Sequence, residues 1–305
     1  MRSVPFLLIV ACLTMSGCRS APITQRKQLL IFPENYETSL GISSYDQILV
    51  DEPASTNQHY IDMVNRVGQR IAAVAERPDY QWEFRVIASE KQNAFALPGG
   101  KVAIYEGILP ICMNEAGLAV VMSHEIGHVL ARHGGERMSQ GTMVNAVGSA
   151  LKYMTQGSEQ YNRELVLGSY GAASKYGVLL PFSRKHESEA DHIGLLLMSK
   201  AGYDPTVAPA FWDRFSASQG PSPAEFMSTH PASARRAMDL RALMQEATAL
   251  YEQAPVKHGV GETIQISQIS RATPTNSTPP HNRQSFNASP LNSASADALP
   301  IPNFE

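Results

Sequence analysis

Cysteine is nearly absent from this chain, which has three cysteines among its 305 residues. Such a small number rules out both a disulfide framework and a cysteine-based zinc finger. Charged residues are also few, at 17%, and the 25 basic and 28 acidic side chains leave a net charge of −3. Because a nucleic-acid-binding protein usually carries a basic domain or stripe, we expect no nucleic-acid partner. The chain also lacks the periodicity of a collagen or a coiled coil and the repeated apolar runs of a polytopic membrane protein.

Apolar residues, by contrast, make up 43% of the chain, which is enough for a sizeable core. The length allows about two domains of about 150 residues or one larger domain. From about residue 255 the chain is rich in Pro, Ser, Thr, Asn, Ala and Gln, and such a segment buries too little apolar surface to offset its ordering entropy. We therefore predict a signal segment at 1–18, an N-terminal segment at 19–55 that packs on a main domain at 56–253, and a disordered tail at 254–305.

The first 18 residues have the pattern of a secretion signal. Arg2 supplies a positive charge, and residues 4–13 form an apolar stretch that is too short to span a bilayer. The tetrapeptide that ends at Cys18 resembles a bacterial lipobox, in which the cysteine is acylated; the alternative is an ordinary signal peptide cut nearby. Arg19 follows, where an inner-membrane retention signal would have aspartate. We therefore expect a periplasmic protein, anchored through a lipid on Cys18 to the inner leaflet of the outer membrane.

The hydrophobic periodicity of the remaining chain is mainly helical. Asn114 is a good N-cap for a helix that runs to about His133 and ends at the glycine pair 134–135. Apolar residues at helical spacing predict further helices over 56–76, 138–156, 160–176, 184–201, 206–217 and 232–253.

Strand patterns are fewer. Residues 82–87 alternate like a strand, and two short runs on either side of Pro98-Gly99-Gly100 predict a hairpin within 93–105. Many helices and few strands indicate one α+β domain, mostly helical, with a small β-sheet.

The sequence His124-Glu125-Ile126-Gly127-His128 is a candidate metal site. In a helix, positions i and i+4 lie about 40° apart around the axis, so the two imidazoles project from one face and can hold one metal ion. Glu125 can then reach a water at that ion, which is the arrangement of a zinc metallopeptidase. The alternative is a pair of core histidines, which would need other buried partners. The pattern places the motif in an amphipathic helix, and this context favours the zinc site.

A catalytic zinc normally has three protein ligands, and the best third candidate is Glu187. In the predicted helix over 184–201, Glu187 and Asp191 share one face at i and i+4, whereas Glu189 points elsewhere. The alternative is a solvated charged face, and spacing alone leaves the two interpretations open.

The two motifs HEIGH (124–128) and ESEAD (187–191) together resemble the paired HExxH and ExxAD motifs of the gluzincin metallopeptidase family that includes the CAAX prenyl endopeptidase and HtpX. The resemblance extends to the periplasmic lipoprotein branch, which contains an outer-membrane assembly quality-control protease. It covers roughly residues 20–250 and includes three further segments: RKQLL at 26–30, NAFALPGG at 93–100 and THP at 229–231. It implies a zincin-type metalloprotease domain with one zinc ion per chain.

By this resemblance, Glu187 is the third zinc ligand and Asp191 holds a liganding imidazole in its tautomer, as metal-site histidines generally require. The matching histidine in the periplasmic branch, here His230, occupies the fourth zinc position and keeps the enzyme latent; the alternative is a structural His-Pro pair. Arg235 or Arg236 belongs to the same patch or is a surface charge, and the sequence leaves that assignment open.

These motifs predict zinc-assisted peptide hydrolysis with Glu125 as general base and with Asp191 and His230 as further catalytic residues. The resemblance further implies an endopeptidase of the bacterial cell envelope that removes misfolded or stalled proteins. Its partners would be unfolded or misassembled envelope proteins, the membrane through Cys18, and the outer-membrane assembly machinery. The alternative is a periplasmic chaperone or assembly adaptor with a structural or latent zinc site, and a hydrolase of small molecules fits these motifs less well.

Two segments next to the predicted site have open roles. The hairpin at 93–105 either presents an edge strand to an extended peptide or is an ordinary core hairpin, and the likeness to zincins favours the edge. The long connection over 134–177 is either a lid or two packed helices, and we expect packed helices.

Overall fold

The computed structural model describes residues 18–155, 180–217, 226, 230, 234–261, 263 and 264. The chain divides into a first unit over Met1–Ser270 and a second over Arg271–Glu305, and no residue of the second is among those described. The predicted helix at 160–176, residues 1–17 of the signal segment and residues 265–305 of the tail therefore lie outside the described residues.

The described elements begin with a short antiparallel strand pair and are mainly helical, in agreement with the predicted α+β class. The strands are β1 (Cys18–Ser20), β2 (Lys27–Leu29), β3 (Glu83–Ile87), β4 (Ala94–Leu97) and β5 (Lys101–Tyr105). The α-helices are α1 (Glu34–Asp51), α2 (Gln58–Val74), α3 (Leu109–Cys112), α4 (Glu115–Leu130), α5 (His133–Met154), α6 (Leu180–Lys200), α7 (Val207–Ala217), α8 (Ala234–Ala242) and α9 (Met244–Gln253).

The second sheet has three strands in the order β3-β5-β4. The predicted strand and hairpin are confirmed: β5 is parallel to β3 and antiparallel to β4, with Ala94 opposite Ile104. The turn between β4 and β5 needs its glycines because Gly99 (φ 93°) and Gly100 (φ 86°) occupy the left-handed region. Because β5 is the central strand, β4 lies at an edge of the sheet among the described elements.

Helix α4 is the centre of the fold. The predicted N-cap is confirmed, since the Asn114 side chain accepts a hydrogen bond from the Gly117 N–H at 2.8 Å. Of the helix residues, only His128 and Leu130 are not buried, and α4 packs on α2, α6, α7 and β4. The predicted amphipathic helix is thus wrong in one respect: other elements surround it, and its polar residues face the protein interior.

The predicted end of this helix is also wrong. Helix α4 stops at Leu130, Arg132 adopts a left-handed conformation (φ 57°), and both glycines of the 134–135 pair lie in the first turn of α5. A side chain at Gly135 would collide with the buried carboxylate of Glu37, which receives hydrogen bonds from Arg132 at 2.7 and 3.0 Å. The glycine is needed for close packing on α1 and does not end a helix.

Other boundaries differ from the sequence pattern at both ends of the chain. The predicted helix 232–253 is two helices, α8 and α9, separated at Leu243, and the helix α1 was not predicted. The chain also stays on the domain after residue 253: the His258 N–H bonds the Gly202 carbonyl at 2.8 Å, and the Ile264 N–H bonds the Met113 carbonyl at 2.7 Å. The tail therefore begins later than residue 254.

Helices α4 and α6 approach closely through two glycines. A Cβ added at Gly127 would lie 2.9 Å from the Ala190 carbonyl oxygen, and one added at Gly194 would lie 2.9 Å from the His124 nitrogen. Real Cβ contacts are longer, so the helix backbones lie closer together than side chains at these positions would allow. This contact brings the ESEAD turn of α6 beside the HEIGH turn of α4.

Replacement of Gly194 by alanine tests the importance of this contact. We expect Gly194→Ala to lower the free energy of unfolding by about 1–3 kcal/mol because the added methyl group meets helix backbone that cannot move aside easily. The matched control is Gly141→Ala in α5, where a Cβ meets nothing within 4 Å, and this change should stabilise the helix by about 0.5–1 kcal/mol. Urea denaturation measures both, and equal effects would contradict the close contact.

Candidate metal centre

Four side-chain donors converge between α4 and α6. His124 and His128 come from α4, Glu187 from α6, and His230 from the chain between α7 and α8, with donor atoms within 4.8 Å of one another. His124 Nε2 lies 3.1 Å from His128 Nε2 and 3.3 Å from both His230 Nδ1 and Glu187 Oε2. His128 Nε2 is 3.5 Å from Glu187 Oε1, which is 3.2 Å from His230 Nδ1. The structure thus brings together all three predicted ligands and the predicted fourth histidine.

The donor spacing fits a tetrahedral zinc site. Zinc–ligand bonds of about 2.0–2.1 Å place neighbouring donors about 3.3–3.4 Å apart in a tetrahedron. The five separations above, which include both oxygens of Glu187, run from 3.1 to 3.5 Å, and all four donors lie within 4.8 Å of one another. Imidazole nitrogen and carboxylate oxygen are also ligand types that zinc commonly takes in proteins. The residues present therefore fit one zinc ion.

The charge states of two ligands suit a cation. Burial lowers the pKa of His128 well below its usual value, so this imidazole is neutral and can donate its lone pair. Burial alone would raise the pKa of Glu187, but the surrounding His128, His124 and His230 hold it well below the usual range. Glu187 is therefore an anionic ligand beside neutral imidazole.

Asp191 and Arg236 hold His124 from behind. Asp191 Oδ1 lies 3.0 Å from His124 Nδ1, which leaves Nε2 facing the other donors. Burial would lower the pKa of His124, but its hydrogen bonds with Asp191 and Glu187 raise it to about 9. The carboxylates of Asp191 and Glu187 thus favour a positive charge at His124, and they would favour a metal ion bound to His124 for the same reason.

The structure decides between the two adjacent arginines. Arg236 is buried, donates two hydrogen bonds of 2.7 Å to Asp191, and lies 3.3 Å from Glu187 Oε2. Its guanidinium also lies 3.6 Å from the ring centre of Trp212 on α7, in cation–π geometry. The exposed side chain of Arg235 pairs with Asp239 instead. Arg236 therefore belongs to the metal centre and Arg235 is a surface charge.

Aromatic rings hold His230 over the donors. Phe226, which is fully buried, stacks on the His230 ring at 4.5 Å, and its carbonyl oxygen accepts the His230 N–H at 2.7 Å. Phe226 in turn stacks on Trp212 with ring centres 6.1 Å apart. Phe226 and His230 are neighbours in the chain, but Trp212 comes from α7, so no local sequence pattern predicts the complete stack.

Glu125 is the acidic residue that faces this cluster without being one of its donors. It is buried, and its Oε1 makes no hydrogen bond among the described residues and lies 3.4 Å from His230 Nε2. Burial raises the pKa of Glu125, an effect that His230 and His124 oppose only in part. A buried carboxylate with a raised pKa and a free oxygen is suited to accept a proton.

Sequence reasoning missed a second support for the metal ligands. His128 Nδ1 contacts His133 Nδ1 at 2.8 Å, although a five-residue spacing in one continuous helix would place them about 140° apart. The left-handed Arg132 ends α4 and returns His133 to the site, which no periodicity predicts. Glu189, directed away from the donors as expected, contacts His133 at 3.0 Å.

Comparison with known proteins identifies the family. The model of peptidase family M48 matches residues 60–244, which include both motifs and His230. The chain belongs to peptidase family M48. Membership in this metalloendopeptidase family, together with the donor cluster, identifies the chain as a zinc metalloendopeptidase and confirms the predicted cofactor. The predicted gluzincin family is confirmed at this level.

Three relatives show how far the similarity extends. Mitochondrial metalloendopeptidase OMA1 of Schizosaccharomyces pombe is 35% identical over 249 residues, which are 80% of this chain and 72% of that protein. OMA1 of Saccharomyces cerevisiae is 32% identical over 77% of this chain and 71% of its own length. The beta-barrel assembly-enhancing protease of Escherichia coli is 31% identical over 63% of this chain, but the match spans only 39% of that protein.

The predicted localisation is wrong. We expected a periplasmic protein with a lipid anchor in the outer membrane, whereas the two OMA1 relatives are mitochondrial proteins. The pattern over residues 1–18 was too short to decide, since apolar and positively charged N-terminal stretches occur in several kinds of targeting segment. Within the described part of the chain, no helix has the length and apolar character needed to cross a membrane.

Asp191→Asn tests the support behind His124. The amide keeps the shape but removes the charge that orients the imidazole and pairs with Arg236, so we expect the zinc dissociation constant to rise about 10–100-fold. Competition with a chromophoric chelator measures it.

The matched control is Asp213→Asn, because Asp213 also pairs with an arginine, Arg241 at 2.9 Å, but both side chains are about half exposed. Zinc affinity should not change in this variant. A similar loss in both variants would contradict a specific role for Asp191.

Proposed function

We propose that this metalloendopeptidase cleaves unfolded or misassembled protein chains and that its resting state is latent. The single observation that carries the proposal is the position of Glu125, a buried carboxylate with a free oxygen beside a complete set of zinc donors. A structural zinc site needs no base at this position. The name of the Escherichia coli relative, which refers to a protease that enhances β-barrel assembly, supports a role connected with protein assembly.

The chemistry follows from the arrangement of the side chains. Zinc supplies a Lewis acid that activates water and polarises a peptide carbonyl group. Glu125 accepts the proton of the attacking water and passes it to the leaving amine, for which its raised pKa is suited. Asp191 and Arg236 keep His124 in the tautomer that leaves Nε2 for the metal.

The edge strand β4 is suited to bind an extended peptide. It pairs with β5 on one side and packs on α4, and the Phe226 N–H bonds the Gln92 carbonyl just before the strand begins. A peptide that lies along the other edge would add a strand to the sheet and gain backbone hydrogen bonds without a specific side chain. Such binding accepts many sequences once they are unfolded, which supports an unfolded substrate.

His230 is the proposed latch. Its Nδ1 stands among the donors at 3.1–3.3 Å from Glu187 and His124, so it fills the place that an open catalytic site would leave for water. A permanently closed site is the alternative, and the chain would then be a chaperone or assembly adaptor. The predicted interaction with unfolded or misassembled protein substrates stays a prediction.

Glu125→Gln tests the enzyme. Cleavage of an unfolded protein such as casein should fall by about 10²-fold or more because the amide cannot accept the proton. Zinc content should stay the same, since Glu125 is not one of the four donors. Glu76→Gln is the control, because the Glu76 side chain is 85% exposed. Full activity in the Glu125 variant would contradict the proposed base.

His230→Ala tests the latch. Removal of the fourth donor should raise the basal rate of casein cleavage while three ligands keep the zinc. His192→Ala is the control, because His192 lies on α6 and contacts Glu246 away from the donors. A fall in kcat at full zinc content would overturn the latch and would mean that His230 assists the reaction.

The adaptor alternative makes a separate prediction. No cleavage by the wild type, by His230→Ala or by any Glu125 variant, with zinc bound throughout, would favour it over the protease.

A further inference from the structure

A chain of buried hydrogen bonds leads away from the metal ligand His128. Because His128 Nε2 faces the other donors, its Nδ1–H donates to His133 Nδ1 at 2.8 Å. His133 then carries its proton on Nε2 and donates it to Glu189 Oε2 at 3.0 Å. His133 and Glu189 are 2% and 5% exposed, so water does not compete for these bonds. The tautomer of His128 is thus set by a residue that is itself oriented by Glu189.

Glu189 is held by the N-terminal segment. Thr24 donates its hydroxyl hydrogen to Glu189 Oε1, and Arg26 Nε donates to Oε2 at 2.6 Å. The same guanidinium donates to both oxygens of Glu136 on α5, at 3.0 and 2.6 Å. Arg26 therefore ties α5 to α6 directly behind the metal ligand His128.

The backbone of this segment is bent in a way that presents the two side chains. Ile23 (φ 64°) and Gln25 (φ 56°) both lie in the left-handed region, which is unfavourable for residues with a Cβ. The turn is closed by the Ala21 N–H on the Arg26 carbonyl at 2.8 Å. Ile23 and Gln25 point to solvent while Thr24 and Arg26 point inward. Strain of this kind persists where the surrounding contacts select it.

We propose that Thr24 and Arg26 are positioning residues of the metal centre. Through Glu189 and His133 they hold the His128 imidazole in the tautomer and orientation that zinc requires. Both residues lie before the span that matches the family model, residues 60–244, so the N-terminal segment supplies part of the support for the site. The proposal concerns zinc affinity and does not depend on the identity of the substrate.

Two substitutions of His133 test the first link. His133→Phe keeps a ring but removes both hydrogen bonds, and we expect the zinc dissociation constant to rise about 10–100-fold, as for other outer partners of metal ligands. His133→Gln keeps an acceptor for His128 and a donor for Glu189, so its affinity should stay within about threefold of wild type. Equal zinc affinities in the two variants would mean that the hydrogen bonds of His133 do not support zinc binding, and would overturn the proposal.

Arg26→Met in the full chain tests the distant link. Its control is Arg66→Met, because Arg66 also pairs with a buried glutamate, Glu115, at the start of α4 and away from the metal ligands. Both variants lose stability without zinc, but only Arg26→Met should weaken zinc binding, by about tenfold or more. Chelator competition gives the affinity, and thermal unfolding of the zinc-free chain gives the stability.

A double variant decides whether the residues act in series. If Arg26 acts through His133, Arg26→Met should add less than about twofold to the loss already caused by His133→Phe, since coupled residues are not additive. Fully additive losses, or an Arg26→Met chain with wild-type zinc affinity, would overturn the proposal. Proteolysis is not the readout, so these results stand apart from the test of the proposed enzyme.

Discussion

The contact between α4 and α6 is the constraint on which the metal centre depends. Neither helix holds a complete site, since two ligands come from one and the third from the other. A glycine on each helix, Gly127 and Gly194, lets the backbones approach until the ESEAD turn lies beside the HEIGH turn. Larger side chains would separate the helices and move Glu187 away from the imidazoles. Backbone packing thus determines how close the donors of the two helices come to one another.

The contact between α4 and α6 also places several ionisable side chains in the protein interior. Glu125, Glu187, Asp191 and Arg236 are all at least 94% buried, so three carboxyl groups lie beside one guanidinium in the protein interior. Isolated buried charges are costly, so such a cluster is stable when it is paired and hydrogen-bonded or holds a metal. Arg236 pairs with Asp191 and Glu187, and a divalent cation held by the four donors would add further compensating positive charge. Zinc binding and the stability of this core are therefore coupled.

Each zinc-binding histidine of α4 has its own support. Asp191 on α6 and Arg236 on α8 hold His124, whereas His133 on α5, Glu189 on α6 and Arg26 in the N-terminal segment support His128. The aromatic residues Trp212 and Phe226 hold His230 on a third side. Segments that are far apart in the chain thus converge on one centre, and the rigid elements that carry them limit its geometry to the spacing that zinc needs.

Local sequence patterns predict features whose residues lie close together in the chain. His124, Glu125 and His128 follow from one helical period, and the hairpin at 98–100 follows from its glycines, because these patterns express local geometry. Spacing places Glu187 and Asp191 on one helix face, but their roles at the metal came from the family resemblance. The packing of the helices establishes the contacts between distant segments. It selected Arg236 over Arg235, brought His133 to His128 through the left-handed Arg132, and joined Arg26 to Glu189. Periodicity describes one element at a time, whereas these interactions exist only after helices pack and exclude water from the charges between them.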